Sequence, residues 1–534
     1  MSSESNKELA IQYKDEGNAF LKEHKYEEAI ASYTKAIEED PTNAIFYSNR
    51  AQAHIKLENY GSAILNCNEA LLIDADLVKA YYRKGVSLMA ILRHKDALAN
   101  FKIVLNKMPN DKLTLENYKQ CTNYLKKLAF EKAISTDGNT LVINTINYDG
   151  AVTEKSWEGP SLKINATKAT ENTDVQLQIE GLDIDYLKYM IKLFKDGGRL
   201  PKLHVFAIIA KVHELFRKES TMVEISLPHT KLDVSNSTDE IILENGKTLT
   251  IVGDTHGQFY DVLNLFQKFG YVSPDHIYLF NGDFVDRGSW SCEVALYFYV
   301  LKIIFPTSVY INRGNHETID MNRTYGFTDE CEHKYSKKIF DAFTESFAAL
   351  PLSTLINGSY LCMHGGLFSD DKITLQDIKA YNRFPSSGST QPPKQGIAME
   401  LLWTDPQEVN GRGPSKRGIG MQFGPDITER FCLSNKIRKV IRSHEVRMEG
   451  YEEEHNGRLI TVFSAPNYCD QSGNLGAVIH ITENEAYNKD NDNGEGYRDV
   501  NDPNCPWNLK FEKFAAVPHP DIKPMAYSKG GFGF

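Results

Sequence analysis

The chain reads TIVGDTHG from Thr250 to Gly257, IYLFNGDFVDRG from Ile277 to Gly288, and VYINRGNHE from Val309 to Glu317. Each segment is a run of β-branched and aromatic residues that ends in a loop containing Gly or Asn. This pattern predicts three buried strands, each followed by a loop that carries polar side chains. Because ligands of open α/β sheets collect at the carboxyl ends of strands, we expect the three loops to form one site.

The polar side chains that follow the apolar runs are of the types that bind divalent metal ions. Six of them follow five runs, namely Asp254, His256, Asp283, Asn315, His364 and His444. The carboxylate of Asp283 has two oxygens and can bridge two ions. Mixed oxygen and nitrogen donors suit Mn, Fe or Zn. We therefore predict two divalent ions, which generate a hydroxide and clamp an in-line displacement.

The residues between these ligands suit a phosphate ester. Arg287 and Arg417 carry planar guanidinium groups that can bind phosphoryl oxygens through paired hydrogen bonds. His316 directly follows Asn315, so it lies beside the metals without needing to be a ligand. Asp286 can hold its imidazole in one tautomer, which makes His316 a candidate general acid for the leaving alkoxide.

Five motifs occur in a fixed order: GDTHG, GDFVDRG, GNHE, HGG and RSHE. In this order, and through FSAPNYCD, the sequence resembles the metal-dependent serine/threonine phosphoprotein phosphatases over about 182–527. The resemblance implies an α/β domain with a central β-sandwich flanked by helices, and Mn-supported hydrolysis of phosphoserine and phosphothreonine by a hydroxide bound to two metals. It places one ion on Asp254, His256 and Asp283, and the other on Asp283, Asn315, His364 and His444. Tyr468 would line the substrate cleft or belong to the core.

Cys432 and Arg438 have the Cys-x5-Arg spacing of cysteine-dependent phosphatases. That chemistry requires a thiolate of low pKa cradled by backbone N–H groups. The intervening residues, LSNKI, contain no Gly, and the segment from Thr428 has the pattern of an amphipathic helix. We therefore predict that Cys432 is a buried helix residue and that water is the nucleophile.

Length and composition indicate a soluble protein of two to four domains. The 534 residues carry a formal net charge of −11, which disfavours nucleic acid and anionic membranes as the main partner. The eight cysteines form no C-x-x-C pair, which is typical of reduced thiols in the cytoplasm or nucleus. No apolar run approaches the length of a membrane span.

The first hundred residues match themselves at an offset of 34. The aligned positions include Gly17, Ala51 and Gly85, and also Tyr33, Cys67 and Phe101. This is the pattern of tetratricopeptide repeats, in which paired helices touch through small residues. We predict a disordered tail at 1–7, three repeats at 8–112 and a capping helix at 113–135.

Five polar residues fall on the first helices of the predicted repeats: Lys14, Asn18, Asn49, Lys79 and Arg83. Because positions i and i+4 share a helix face, we expect them to converge on the concave surface. Cations flanked by amides suit the terminal carboxylate and an acidic side chain of a peptide. The five resemble the carboxylate clamp that binds the acidic C-terminal tail of the ninety-kilodalton heat-shock chaperone. The alternative is a solvated basic face.

The resemblance also implies regulation. The repeat domain would cover the catalytic cleft until a chaperone tail or a lipid withdraws it, and Glu58 matches a position that the family uses in that closed state. The remaining boundaries are predicted as an irregular linker at 136–180, a catalytic domain at 181–520 with an acidic insertion at 483–507, and a C-terminal tail at 521–534.

Two other classes of function stay open at this point. The chain could be a chaperone-bound adaptor with an inert phosphatase domain, although no ligand or acid position is substituted. It could also be a metallo-esterase of nucleotides or other small phosphates. The peptide-reading repeats favour a phosphoprotein substrate.

Overall fold

The computed structural model describes residues 2–134, 140–148, 157–167, 174–227, 241–242, 247–384, 390–488 and 494–528. The chain divides into two compact units. The first comprises Met1–Gly138, Gly413–Gln422 and Phe532–Phe534, and the second comprises Asn139–Arg412 and Phe423–Gly531. Among the described residues, no helix is long and apolar enough to span a membrane.

The N-terminal part of the first unit is helical. Its described helices are α1 Ser2–Lys22, α2 Tyr26–Glu39, α3 Ala44–Lys56, α4 Tyr60–Ile73, α5 Val78–Ala90, α6 His94–Lys107 and α7 Lys112–Ile134. Paired helices touch where a glycine faces an aromatic ring. A Cβ atom at Gly17 would lie 2.7 Å from Tyr33 Cε1, and one at Gly85 would lie 2.5 Å from Phe101 Cε1. The close packing at these positions explains the repeat pattern and confirms the predicted helical repeats.

The helix α1 begins at Ser2, which differs from the disordered tail predicted for residues 1–7. These residues contain no Gly or Pro that would stop a helix. The last helix, α7, agrees with the predicted capping helix to within one residue.

The described part of the chain after residue 138 alternates helices and strands. The helices are α8 Ile184–Lys195, α9 Lys202–Lys218, α10 Phe259–Phe269, α11 Ser291–Ile304, α12 Ile319–Tyr325, α13 Phe327–Lys334, α14 Lys337–Ala348, α15 Leu375–Ala380, α16 Ile397–Trp403 and α17 Pro425–Asn435. The strands are β1 Lys163–Thr167, β2 Gln176–Glu180, β3 Met222–Ser226, β4 Ile241–Ile242, β5 Thr248–Val252, β6 His276–Phe280, β7 Val309–Ile311, β8 Ser353–Ile356, β9 Tyr360–Met363, β10 Asp405–Pro406, β11 Arg412–Pro414, β12 Met421–Phe423, β13 Lys439–Arg442, β14 Tyr451–Glu454, β15 Leu459–Val462, β16 Gly476–Glu483 and β17 Trp507–Phe514.

Two large sheets organise the second unit. One has the strand order β17-β16-β5-β6-β7, and the other has the order β14-β15-β13-β9-β8-β3-β4. The strands β5, β6 and β7 are parallel, with Val252 opposite Phe280 and Phe280 opposite Ile311. In the other sheet β13 is parallel to both β9 and β15. This register places the loops after β5, β6 and β7 side by side at the same edge of the sheet.

The two sheets pack face to face. Ile251 and Leu279 from the five-stranded sheet share one buried cluster with Ile441 and Ile460 from the seven-stranded sheet. A second cluster joins the outer face of the five-stranded sheet to several helices, including α9, α11 and α14. This confirms the predicted sandwich flanked by helices.

Part of the segment predicted as an irregular linker is ordered. Residues 163–167 and 176–180 form an antiparallel hairpin, β1–β2. Ile143 and Leu177 are fully buried, and the Ile143 N–H donates to the Glu345 carboxylate on α14 at 3.3 Å. The prediction missed this structure because the short apolar runs show no regular helical or strand period. Contacts with helices distant in the chain stabilise them instead.

Two arginines of the catalytic domain bind the described part of the acidic insertion. Arg438 donates to the carbonyl oxygen of Gly496 at 2.6 Å, and Arg458 donates to that of Arg498 at 2.7 Å. Two buried guanidinium groups therefore bind backbone carbonyl oxygens of the insertion. The amino-acid composition of the insertion did not predict these contacts.

Candidate active site

Five strand ends from both sheets supply the six predicted metal ligands. A parallel bridge between Asp254 and Phe463 joins the two sheets at this edge. Three ligand residues have positive φ, with His256 at 40°, Asp283 at 48° and His444 at 74°. This backbone conformation is unfavourable for residues other than glycine and persists where surrounding contacts force it, as at functional sites.

One group of donor atoms centres on His364. Its Nε2 lies 3.1 Å from Asp283 Oδ2 and 2.9 Å from Asn315 Oδ1. The same atom lies 3.1 Å from His444 Nδ1. His364 Nδ1 lies 2.9 Å from the carbonyl oxygen of Asn281, which accepts a hydrogen bond from the Nδ1–H group. The other ring nitrogen, Nε2, therefore carries a lone pair. Acceptor atoms that face one another in this way fit a cation between them.

A second group centres on His256. Its Nε2 lies 3.7 Å from Asp254 Oδ2 and 3.8 Å from Asp283 Oδ2. His256 Nδ1 lies 3.1 Å from the carbonyl oxygen of Val285, which leaves Nε2 as the acceptor. Asp254 Oδ2 is buried and accepts no hydrogen bond from the described residues. A buried carboxylate oxygen of this kind fits a second cation.

The protonation states agree with cation binding. Burial lowers the pKa of His256 well below its ordinary value and also lowers that of His364. Both imidazoles are therefore neutral at neutral pH, the form that binds a metal. Burial raises the pKa of Asp254 to about 7. The side chains present thus fit a pair of divalent ions, with Asp283 common to both groups.

His316 borders the two groups of donor atoms. Its Nδ1 lies 2.8 Å from Asp286 Oδ2, and its Nε2 lies 4.0 Å from Asp283 Oδ2. Asp286 is buried and also accepts from the Asn322 side chain at 3.0 Å and the Phe327 N–H at 2.9 Å. Burial raises the pKa of Asp286 to about 7. The structure therefore places Asp286 where it orients the His316 imidazole.

Arg287 and Tyr468 lie beside the two groups of donor atoms. The Arg287 guanidinium is 3.8 Å from the centroid of the Tyr325 ring. The Tyr468 ring is half-buried, and its centroid is 5.1 Å from that of His256. The role of Tyr468 in lining the substrate cleft stays a prediction.

Arg417 and Glu58 belong to the first unit. Arg417 lies on the segment Gly413–Gln422, where its N–H donates to Ser415 Oγ at 3.1 Å. Glu58 has a φ of 60° in the turn between α3 and α4. The functional roles of both residues stay predictions.

Sequence reasoning gave no role to Glu317, although it is the last residue of GNHE. Its carboxylate is fully buried and accepts from the N–H groups of Asp283 at 2.8 Å, Phe284 at 3.0 Å and Gly314 at 2.8 Å. Glu317 therefore holds the loops after β6 and β7 together at the position of the shared ligand. The sequence signal that could have identified Glu317 is an acidic residue directly after a loop that carries predicted metal ligands.

Cys432 lies in α17 and is buried. Burial raises the pKa of its thiol to about 12, so the thiolate is disfavoured at neutral pH. Arg438 binds the carbonyl oxygen of Gly496. The prediction that Cys432 is a helix residue is confirmed.

The residues of the predicted clamp lie on α1, α3 and α5. The Asn49 side chain donates to Asn18 Oδ1 at 3.3 Å, and Arg83 donates to Asn49 Oδ1 at 3.3 Å. Lys14 and Lys79 each lie one helical turn before Asn18 and Arg83, on the same helix faces. Three of the five side chains are thus in direct contact across three helices.

Comparisons with known proteins agree with this geometry. Residues 247–448 match the family of calcineurin-like phosphoesterases, residues 118–224 match the PPP5 TPR repeat region, and residues 17–58 match a TPR repeat. Serine/threonine-protein phosphatase T of Saccharomyces cerevisiae is 47% identical over 531 residues, covering 98% of both chains. Serine/threonine-protein phosphatase 5 of Homo sapiens is 40% identical over 520 residues, covering 97% of this chain and 93% of that one.

A solved structure is also similar. It is a protein serine/threonine phosphatase from Saccharomyces cerevisiae with similarity to human phosphatase PP5, and its sequence is 54% identical. The match covers 64% of this chain and 99% of the solved chain, with a TM-score of 0.55.

The sandwich, its paired donor groups and the helical repeats define a calcineurin-like metallophosphoesterase with an N-terminal tetratricopeptide region. Sequence identity to relatives over nearly the whole length of the chain narrows this class to one family. The chain belongs to the family of serine/threonine-protein phosphatases 5 and T, and it is a protein-serine/threonine phosphatase.

Proposed function

We propose that Asp254, His256, Asp283, Asn315, His364 and His444 hold two divalent ions of the Mn, Fe or Zn type for the hydrolysis of phosphoserine and phosphothreonine. When bound, such a pair supplies a hydroxide at neutral pH and neutralises charge on the phosphoryl group. The observation that supports this proposal most is the cluster of buried acceptor atoms around His364 Nε2.

The side chains around the donors supply binding and proton transfer. The Arg287 guanidinium binds phosphoryl oxygens as their charge develops, and Arg417 is proposed as a second group of this kind. Protonated His316 donates its Nε2 proton to the leaving serine or threonine oxygen. The Asp286 carboxylate accepts from Nδ1–H at 2.8 Å and stabilises the imidazolium before that transfer.

The test of this assignment is the substitution His316→Asn in the full chain. Because the general acid is lost, we expect kcat for a phosphopeptide to fall by about 10²- to 10⁴-fold in the presence of Mn²⁺. His24→Asn is the matched control, since His24 is exposed in a turn with a φ of 61° that Asn tolerates. Equal kcat for the two variants would show that His316 is not the acid.

We also propose that the repeats bind the acidic C-terminal tail of a heat-shock chaperone. The support is the contact of Asn18, Asn49 and Arg83 across three helices, with Lys14 and Lys79 one turn away. Amide donors and cations on one face suit a terminal carboxylate and a neighbouring acidic side chain.

The repeats are further proposed to inhibit the catalytic domain until such a tail binds. The support comes from the first unit itself, which includes the segment that carries Arg417. The Ser62 N–H at the start of α4 donates to the Lys416 carbonyl oxygen at 3.1 Å, and Ile419 packs against the cluster around Leu88 and Ile91. A predicted phosphate-binding arginine thus lies on a segment that packs with the repeats.

A Met-Glu-Glu-Val-Asp peptide tests both proposals. We expect it to bind the full chain and to raise its phosphatase activity. Lys79→Ala should weaken binding about tenfold, because a charge-assisted hydrogen bond is lost. Lys95→Ala is the matched control, since it removes an exposed charge from α6, outside the clamp.

The outcomes separate the two proposals. Equal peptide affinity in the two lysine variants, measured by calorimetry, would exclude the clamp. A peptide that binds through Lys79 but leaves the activity unchanged would exclude inhibition by the repeats and retain the peptide site.

A further inference from the structure

A short C-terminal segment, residues 523–527, packs on the loop that follows β6; we name it the C-terminal strap. The Met525 N–H donates to the carbonyl oxygen of Arg287 at 2.9 Å. Ser289 Oγ donates to the carbonyl oxygen of Lys523 at 2.7 Å. The strap therefore binds two parts of this loop. One is the main chain of Arg287, which is proposed to bind phosphate, and the other is the side chain of Ser289.

Other contacts hold the strap in this position. The Ala526 N–H donates to Ser289 Oγ at 3.1 Å, so this hydroxyl both donates to the strap and accepts from it. The Tyr527 ring stacks on His333 with 4.8 Å between centroids, and Lys334 Nζ lies 5.2 Å from the centroid of Tyr527. Lys334 in turn donates to the carbonyl oxygen of Ser289 at 2.9 Å.

The loop needs such support because its backbone is strained. Asp286 and Arg287 have consecutive positive φ angles of 69° and 70°, which residues other than glycine rarely adopt. The Arg287 N–H donates to the carbonyl oxygen of Tyr325 at 3.0 Å, while its own carbonyl oxygen accepts from Met525. Both peptide groups of Arg287 are thus fixed, one by the end of α12 and the other by the strap.

The geometry points to a positioning role for the strap: residues 523–527, through Ser289 and Tyr527, hold Arg287 in the orientation that binds the phosphoryl group. This inference rests on the proposed function, in which Arg287 binds phosphate. Ser289 and Lys523 are 234 residues apart in the chain. The phosphate-binding loop is therefore complete only when the last part of the catalytic domain has packed against it.

Product inhibition by inorganic phosphate measures this role in the full chain. With p-nitrophenyl phosphate as substrate and Mn²⁺ present, Ser289→Ala and Tyr527→Ala should each raise the inhibition constant for phosphate about tenfold, because the guanidinium loses its fixed position. Tyr527→Phe keeps the stacked ring and should retain the normal constant. Lys523→Ala removes an exposed side chain but keeps the carbonyl that Ser289 contacts, so it should also be unchanged.

Two further measurements make the result decisive. The Mn²⁺ concentration that gives half-maximal activity should be the same in all variants, because the strap contacts no predicted metal ligand among the described residues. Tyr527→Ala provides a second route if Ser289→Ala does not fold. Inhibition constants for Ser289→Ala and Tyr527→Ala equal to that of Lys523→Ala would overturn the inference.

Arg287→Ala separates this inference from the function on which it rests. If Arg287→Ala raises the inhibition constant and the strap variants do not, the strap has no positioning role and the proposed function stands. If Arg287→Ala leaves the constant unchanged, the proposed role of Arg287 fails, and the inference fails with it.

Discussion

At the scale of single residues, the site is a set of buried acceptors that face one another. In His256 and His364 the Nδ1–H group donates a hydrogen bond to a backbone carbonyl oxygen. The Nε2 lone pairs therefore face the interior of the site. Asp254 differs, because burial raises its pKa to about 7 and a proton can occupy the carboxyl when no ion is bound.

This difference predicts how metal affinity depends on pH. A divalent ion binds the ionised carboxylate, so below a pKa of about 7 the proton on Asp254 competes with the ion. The neutral imidazoles of His256 and His364, whose pKa values are lowered, offer no such competition. We expect the dissociation constant for Mn²⁺ to rise about tenfold per pH unit below pH 7 and to level off above it.

Calorimetric titration of the full chain with Mn²⁺ at pH 6, 7 and 8 measures this dependence. Repeating it in two buffers of different ionisation enthalpy counts the protons released on binding. An affinity that is constant from pH 6 to 8 would contradict competition between the ion and a proton on Asp254.

At the scale of elements, the strand-and-loop units were predictable from sequence. An apolar run that stops at Gly determines both the strand and the position of the polar residues after it, as in β5 with Asp254 and β6 with Asp283. The parallel register then brings separate loops to one level. The repeats were predictable for a similar reason, since Gly17 and Gly85 lie where helices touch.

Features that depend on distant partners were not predictable in this way. The hairpin β1–β2 lacks a strong local signal, and Ile143 near it is held by Glu345, 202 residues further along the chain. The three N–H groups that Glu317 binds come from two different loops. The hydrogen bond between Met525 and Arg287 belongs to a segment with no helical or strand period. Each of these contacts arises from tertiary packing rather than from local sequence.

At the scale of the whole molecule, the chain joins a helical tetratricopeptide array to a two-sheet metallophosphoesterase domain. The six ligand positions extend from Asp254 to His444, so the site exists only when both sheets have formed. The mechanism proposed for this phosphatase depends on the central claim that these residues hold two ions, with Asp283 shared between them.

The metal content of the full chain tests this claim most directly. After loading with Mn²⁺ and removal of free ions, elemental analysis should find two ions per chain. Asp283→Asn should reduce that number, because a neutral amide cannot bridge two cations as a carboxylate does. Asp275→Asn, which changes an exposed carboxylate before β6, should retain two. A single ion in the unaltered chain, or two ions in Asp283→Asn, would contradict the account.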